Sequence, residues 1–82
     1  MVKSLAGWKG RGVPLTIIGG KKYKGKVVSE FETVGYYNRT GTQPVYFFET
    51  TEGERLRISS KRIKATSEGG LVMELNDLEN LN

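Results

Sequence analysis

Residues 15–28 read Leu15-Thr16-Ile17-Ile18-Gly19-Gly20-Lys21-Lys22-Tyr23-Lys24-Gly25-Lys26-Val27-Val28, and this stretch sets the fold class. Leu15 to Ile18 is short and rich in β-branched residues, and a glycine pair ends it, which is the pattern of a strand running into a turn. The chain then stays β-like from Lys22 to Tyr37. With a period of two, Val27, Phe31 and Tyr37 share one face with the smaller Ser29 and Thr33, while Glu30 and Glu32 share the other with Lys26. Gly25 and Gly35 are the positions where so long a strand would bend.

Downstream, Asn38 to Pro44 is crowded with turn formers and reads as a loop. Val45 to Thr51 reads as a strand, Glu52-Gly53 as a two-residue turn, and Glu54 to Ser59 as a returning strand with Leu56 and Ile58 inward and Arg55 and Arg57 outward. Ser59-Ser60-Lys61-Arg62-Ile63 suits a single helical turn led by a hydroxyl. After Gly69-Gly70, Leu71 to Leu75 suits a last strand. Upstream, Ser4 to Gly12 holds three glycines around Trp8, which disfavours a helix. The expected organisation is a flexible basic arm at 1–13, a small β domain at 14–75, and an acidic tail or short helix at 76–82. The expected core is Leu15, Ile17, Val27, Phe31, Val45, Phe47, Leu56, Ile58 and Ile63, with Leu71 and Met73. An all-β class follows, and with about five short strands a small closed barrel suits this length better than a sandwich.

That succession of strand, long bent strand, hairpin, Ser-led turn and last strand resembles an SH3-like barrel. Within it, residues 15–28 resemble a KOW-type segment: a β-branched strand, a glycine turn, then Lys24-Gly25-Lys26 followed by valines. The sequence departs from that pattern after Lys26, where Val27-Val28-Ser29 stands in place of a second glycine. The resemblance implies a small barrel whose turn contacts nucleic acid or a protein partner, as in ribosomal and transcription-elongation proteins.

Composition narrows the chemistry. The 82 residues include no cysteine and no histidine, which removes disulfides, thiolate metal sites and the usual general base. No phosphate-binding loop, dinucleotide fingerprint or metal-ligand spacing occurs, so no enzyme, cofactor or metal is expected. No run approaches the ~20 apolar residues of a membrane span, and a cytoplasmic, non-membrane protein is expected. The net charge of +4 conceals a gradient. Seven bases and no acid fall in residues 1–26, and four acids and no base fall in residues 65–82.

The leading candidate site is therefore Lys21, Lys22, Tyr23, Lys24 and Lys26, helped by Trp8, Lys9 and Arg11. Lysines neutralise phosphates without reading sequence, and an interleaved aromatic can stack on a base. Lys22, Lys24 and Lys26 would project from one face at intervals of about 6.6–7 Å, near the phosphate repeat. Trp8 either joins them or folds back as a lid over the core. Arg55, Arg57, Lys61 and Arg62 form a second basic group, which Glu49 or Glu30 can neutralise. Tyr36, Tyr46 and Phe48 would make an exposed aromatic face for a protein partner if Phe47 points inward. The expectation is a non-catalytic module, a monomer or small homo-oligomer, that binds DNA or RNA largely without sequence preference, in transcription or translation. A protein-interaction adaptor or a self-assembling subunit is the competing reading.

Overall fold

In a computed structural model, which describes residues 4–81, the chain forms one six-stranded sheet and one short helix. A 3₁₀ turn at Ala6–Trp8 precedes β1 (Gly12–Ile18), β2 (Lys22–Tyr36), β3 (Arg39–Thr50), β4 (Arg55–Ile58), β5 (Ile63–Ala65), β6 (Leu71–Glu74) and α1 (Leu75–Leu81). The strand order is β4-β3-β2-β1-β6-β5, antiparallel except that β1 and β6 run parallel, Leu15 beside Leu71 and Ile17 beside Met73. The all-β class holds. The sheet does not close into a barrel: β4 and β5 are its two edges, and no ladder joins them among the described residues.

The first turn follows the glycine logic. Gly19 adopts φ 87°, and the Gly20 N–H donates to the Ile17 carbonyl at 2.9 Å. β2 is long because two partners hold different halves of it. β1 pairs with residues 22–26 and β3 with residues 25–36, so Gly25 and Lys26 belong to both ladders. At that crossing the backbones close in, and a Cβ on Gly25 would lie 2.1 Å from the Glu49 carbonyl oxygen.

Two hairpins end in the same device. In residues 50–54 the Thr50 N–H donates to the Glu54 carbonyl (2.8 Å), the Glu54 N–H donates back to Thr50 Oγ1 (3.0 Å), and Gly53 takes φ 89°. In residues 66–70 the Thr66 N–H donates to the Gly70 carbonyl (2.9 Å), the Gly70 N–H donates to Thr66 Oγ1 (2.9 Å), and Gly69 takes φ 86°. Both turns read Thr, a hydroxyl residue, Glu, Gly. Each is a three-residue loop with glycine in the left-handed position, not the two-residue turn expected at Glu52-Gly53.

The core gathers Leu5, Val13, Leu15, Ile17, Val27, Phe48, Ile58, Ile63, Leu71, Met73 and Leu78, with Trp8, Tyr23, Tyr46, Leu56 and Leu75 packed at its margin. The expectations for Phe47, Phe31 and residues 38–44 need correction. Phe48, at 0% exposure, takes the inward place expected for Phe47, because the register sets Phe48 opposite Val27. Phe31 is 76% exposed, because β2 has already run past the core where Phe31 meets Pro44. The loop expected at Asn38–Pro44 is strand from Arg39 onward, and only Tyr37-Asn38 makes the turn. The N-terminal segment is also anchored rather than flexible from Leu5 on. Leu5 is 1% exposed, and the Gly10 N–H donates to the Val27 carbonyl at 2.8 Å. Met1 to Lys3 of the expected arm lie outside the described residues.

Candidate nucleic-acid interface

Alternation along β2 places Lys22, Lys24 and Lys26 together on the outer face, opposite the side that carries Val27 into the core. Their cross-strand neighbours on β1 are Thr16, Pro14 and Gly12 respectively, none charged and none long enough to cover a lysine stem. All three lysines are exposed, as is Lys21 at the turn. Among the described residues no carboxylate lies within ion-pair distance of any of the four. A groove of about 880 Å³ runs beside this row, with Gly10, Gly12 and Pro14 on one side and Glu49, Thr50 and Thr51 on the other. Thr51 fixes the far wall, since its N–H donates to the Lys24 carbonyl at 2.9 Å. Glu49 is the one acid in this lining, and Arg55 stands 3.9 Å from it.

The other expected members divide. Tyr23 projects from the opposite side of β2 and packs half-buried against the core, so it does not stack beside the lysines. The alternation that groups Lys22 and Lys24 puts Tyr23 across from them. Trp8 is the lid: it sits half-buried on the core margin, with the Arg11 guanidinium 4.6 Å from its ring centre. Lys9 bridges to Val27 and is exposed, and Arg11 is exposed over Trp8; the groove itself is lined by Gly10 and Gly12, not by Lys9 or Arg11.

The second basic group does not form one patch. Arg55 donates to Glu30 at 2.6 Å and lies over the Phe47 ring at 4.8 Å, while Arg57 stands 3.9 Å from Glu32. Arg62 reaches Asp77 of α1 at 3.1 Å, and Lys61 is exposed at the turn before β5. Exposed pairs of this kind contribute about 0–1 kcal/mol each, but they remove unpaired charge of both signs from the outer face. The expected aromatic face does not assemble either. Phe48 is buried and Tyr46 is half-buried against the core, so neither offers a docking surface; the side chain of Tyr36 lies outside the described residues.

The feature that the sequence reading missed is the hairpin formed by the outer half of β2 and the front half of β3. Its signal was present: from Thr33 to Gln43 the only aliphatic side chain larger than a methyl-bearing threonine is Val34, so no core face exists there. Threonines at 33, 40 and 42 still favour extended backbone. No helix among the described residues is long and apolar enough to cross a membrane. Comparison of the chain with protein-family models, with curated proteins and with solved structures gives no match in any of the three.

Proposed function

We propose that this protein is a non-catalytic nucleic-acid-binding module that holds the phosphate backbone with Lys21, Lys22, Lys24 and Lys26, assisted by Lys9 and Arg11. The observation that carries the reading is the row of three alternating lysines on β2, exposed, in no ion pair among the described residues, and faced on β1 by threonine, proline and glycine, with Glu49 of β3 opposite Lys26 alone. Flat neighbours let a backbone approach, and the spacing of about 6.6–7 Å lets successive lysines meet successive phosphates. The resemblance of residues 15–28 to a KOW-type segment within an SH3-like succession of strands supports the same surface. A chain without cysteine suits work in the cytoplasm, in transcription or translation.

The test is a salt titration of binding to an arbitrary duplex and an arbitrary single strand. Four phosphate contacts give a slope of log affinity against log salt near −3.6, which is about a 10²-fold loss between 50 and 200 mM salt. Replacing two contacts, Lys22→Glu with Lys24→Glu, flattens that slope by about 2 and weakens binding to unrelated sequences alike. Binding that ignores salt, or no binding to any of these ligands, refutes the proposal.

A further inference from the structure

The outer hairpin has no structural task in the core. Of the described side chains in residues 28–44, none belongs to the apolar cluster, and from Phe31↔Pro44 to Tyr36↔Arg39 the two strands pair only with each other. β1 pairs with β2 no further than Lys26, and β4 pairs with β3 no further than Tyr46. What remains is a two-stranded ribbon that accounts for the elongated 44 × 25 × 25 Å shape. A ribbon of this kind is only marginally stable by itself in water, and a partner lying along it would add to its stability.

Its chemistry selects the partner. Between Glu32 and Glu49 the sequence has no acid, and Arg39 stands next to the tip. The carboxylates at the root are each faced by an arginine of β4, Glu30 at 2.6 Å and Glu32 at 3.9 Å. The outer face from Lys22 to the tip thus presents no carboxylate without a cation beside it. Arg39 shares that outer face and Asn38 lies at the tip, while Thr33, Thr40 and Thr42 lie on the opposite face of the ribbon; all five are exposed and supply donors and acceptors suited to base edges. Lys26 and Tyr36 are ten positions apart on β2, about 33 Å at the usual strand rise, and one turn of B-DNA is about 34 Å.

We infer that the β2–β3 ribbon enters the major groove of double-stranded DNA while the lysine row holds the phosphates about one helical turn away. The inference rests on the proposed function and narrows it to one nucleic acid. The major groove of B-DNA admits a two-stranded ribbon, whereas the deep, narrow major groove of an RNA duplex does not.

The experiment compares the full chain with a chain in which residues 34–41 are replaced by Asn-Gly, a two-residue turn that joins Thr33 to its partner Thr42. Binding is measured by fluorescence anisotropy on DNA and RNA duplexes of identical sequence, about 24 base pairs or two turns long. The full chain should prefer the DNA duplex by at least about 10-fold, and the shortened chain should lose that preference while its salt slope changes by no more than about 1, for the lost Arg39. Arg39→Ala, which keeps the ribbon, should lower affinity for the DNA duplex by roughly 3-fold or more. Circular dichroism melting verifies that both variants keep the fold. Equal affinity of the full chain for the two duplexes overturns the inference, as does a shortened chain that keeps the preference. A ribbon-dependent dimer in light scattering also overturns it, since a second copy then occupies the ribbon. If Lys22→Glu with Lys24→Glu weakens binding and the shortened ribbon does not, the lysine row stands and the ribbon inference alone fails. If the full chain binds no nucleic acid, both fail.

Discussion

Gly25 sits where β2 changes partners, and replacing it with alanine measures what the close approach of β2 and β3 demands of that position. An added Cβ would lie 2.1 Å from the Glu49 carbonyl oxygen and 2.8 Å from the Thr50 Cα, both backbone atoms that cannot rotate away. Restoring ordinary contact at about 3.4 Å needs a displacement of roughly 1.3 Å, enough to stretch the ladder bonds beside it beyond hydrogen-bonding range. Overpacking alone costs about 1–3 kcal/mol, and one lost ladder bond adds about 1 kcal/mol, so Gly25→Ala should destabilise by roughly 2–4 kcal/mol. A domain of this length has about 4–12 kcal/mol in total, so the melting point should fall by on the order of 10–25 °C. Gly35→Ala is the control on the same strand: the nearest atom to its Cβ is the Arg39 carbonyl oxygen at 3.9 Å, and the change should be neutral or stabilising by up to about 1 kcal/mol. Urea titration of both variants with the parent decides the matter. Stability of Gly25→Ala within about 0.5 kcal/mol of the parent would refute the crossing geometry.

Leu5→Ala should cost about 2–5 kcal/mol in the same titration, because Leu5 is buried in the common core; a loss below about 0.5 kcal/mol would return residues 4–10 to the flexible arm expected from sequence. Tyr37 is exposed and holds φ 54° at the ribbon tip, a conformation that costs a side-chain-bearing residue about 1 kcal/mol or more. Tyr37→Gly should therefore raise stability by up to about 1 kcal/mol and leave the lysine-dependent salt slope unchanged, and a lowered melting point would refute the strain argument at this turn.

Alternation over a few residues makes part of the fold legible. The first strand, its glycine turn and the one-sided row Lys22, Lys24, Lys26 depend on alternation within a few residues, and the structure has all three. Val45-Tyr46-Phe47-Phe48 has no alternation to read, so the inward residue is chosen by pairing with Val27, some twenty positions away in the chain. Arg39 to Pro44 carries loop-forming residues yet forms strand because β2 supplies a backbone partner. β5 has Ile63 as its one large apolar residue, too little for any period, and Leu5 is a single apolar residue in a glycine-rich segment. The repeated Thr-x-Glu-Gly phrase marks both hairpins through the threonine hydroxyl that accepts from the backbone N–H four residues on. For the site, charge and spacing were legible while the ribbon was not, since a strand pair without a core leaves no hydrophobic signature.

The parallel ladder between β1 and β6 has a consequence for synthesis. Leu15 waits for Leu71, whereas Leu15 and Tyr23 meet within a hairpin. Closing a chain segment about seven times longer costs roughly 1.7 kcal/mol more in chain entropy, and at 5–20 residues per second β6 is made about 3–11 s after β1. During that interval Leu15, Ile17 and Val27 lack the Leu71, Met73 and Leu78 side chains that complete their core. The residues of the β1–β2 hairpin that carry the lysine row are all synthesised before then. A nascent chain therefore carries its basic row for several seconds without the side chains that finish its interior.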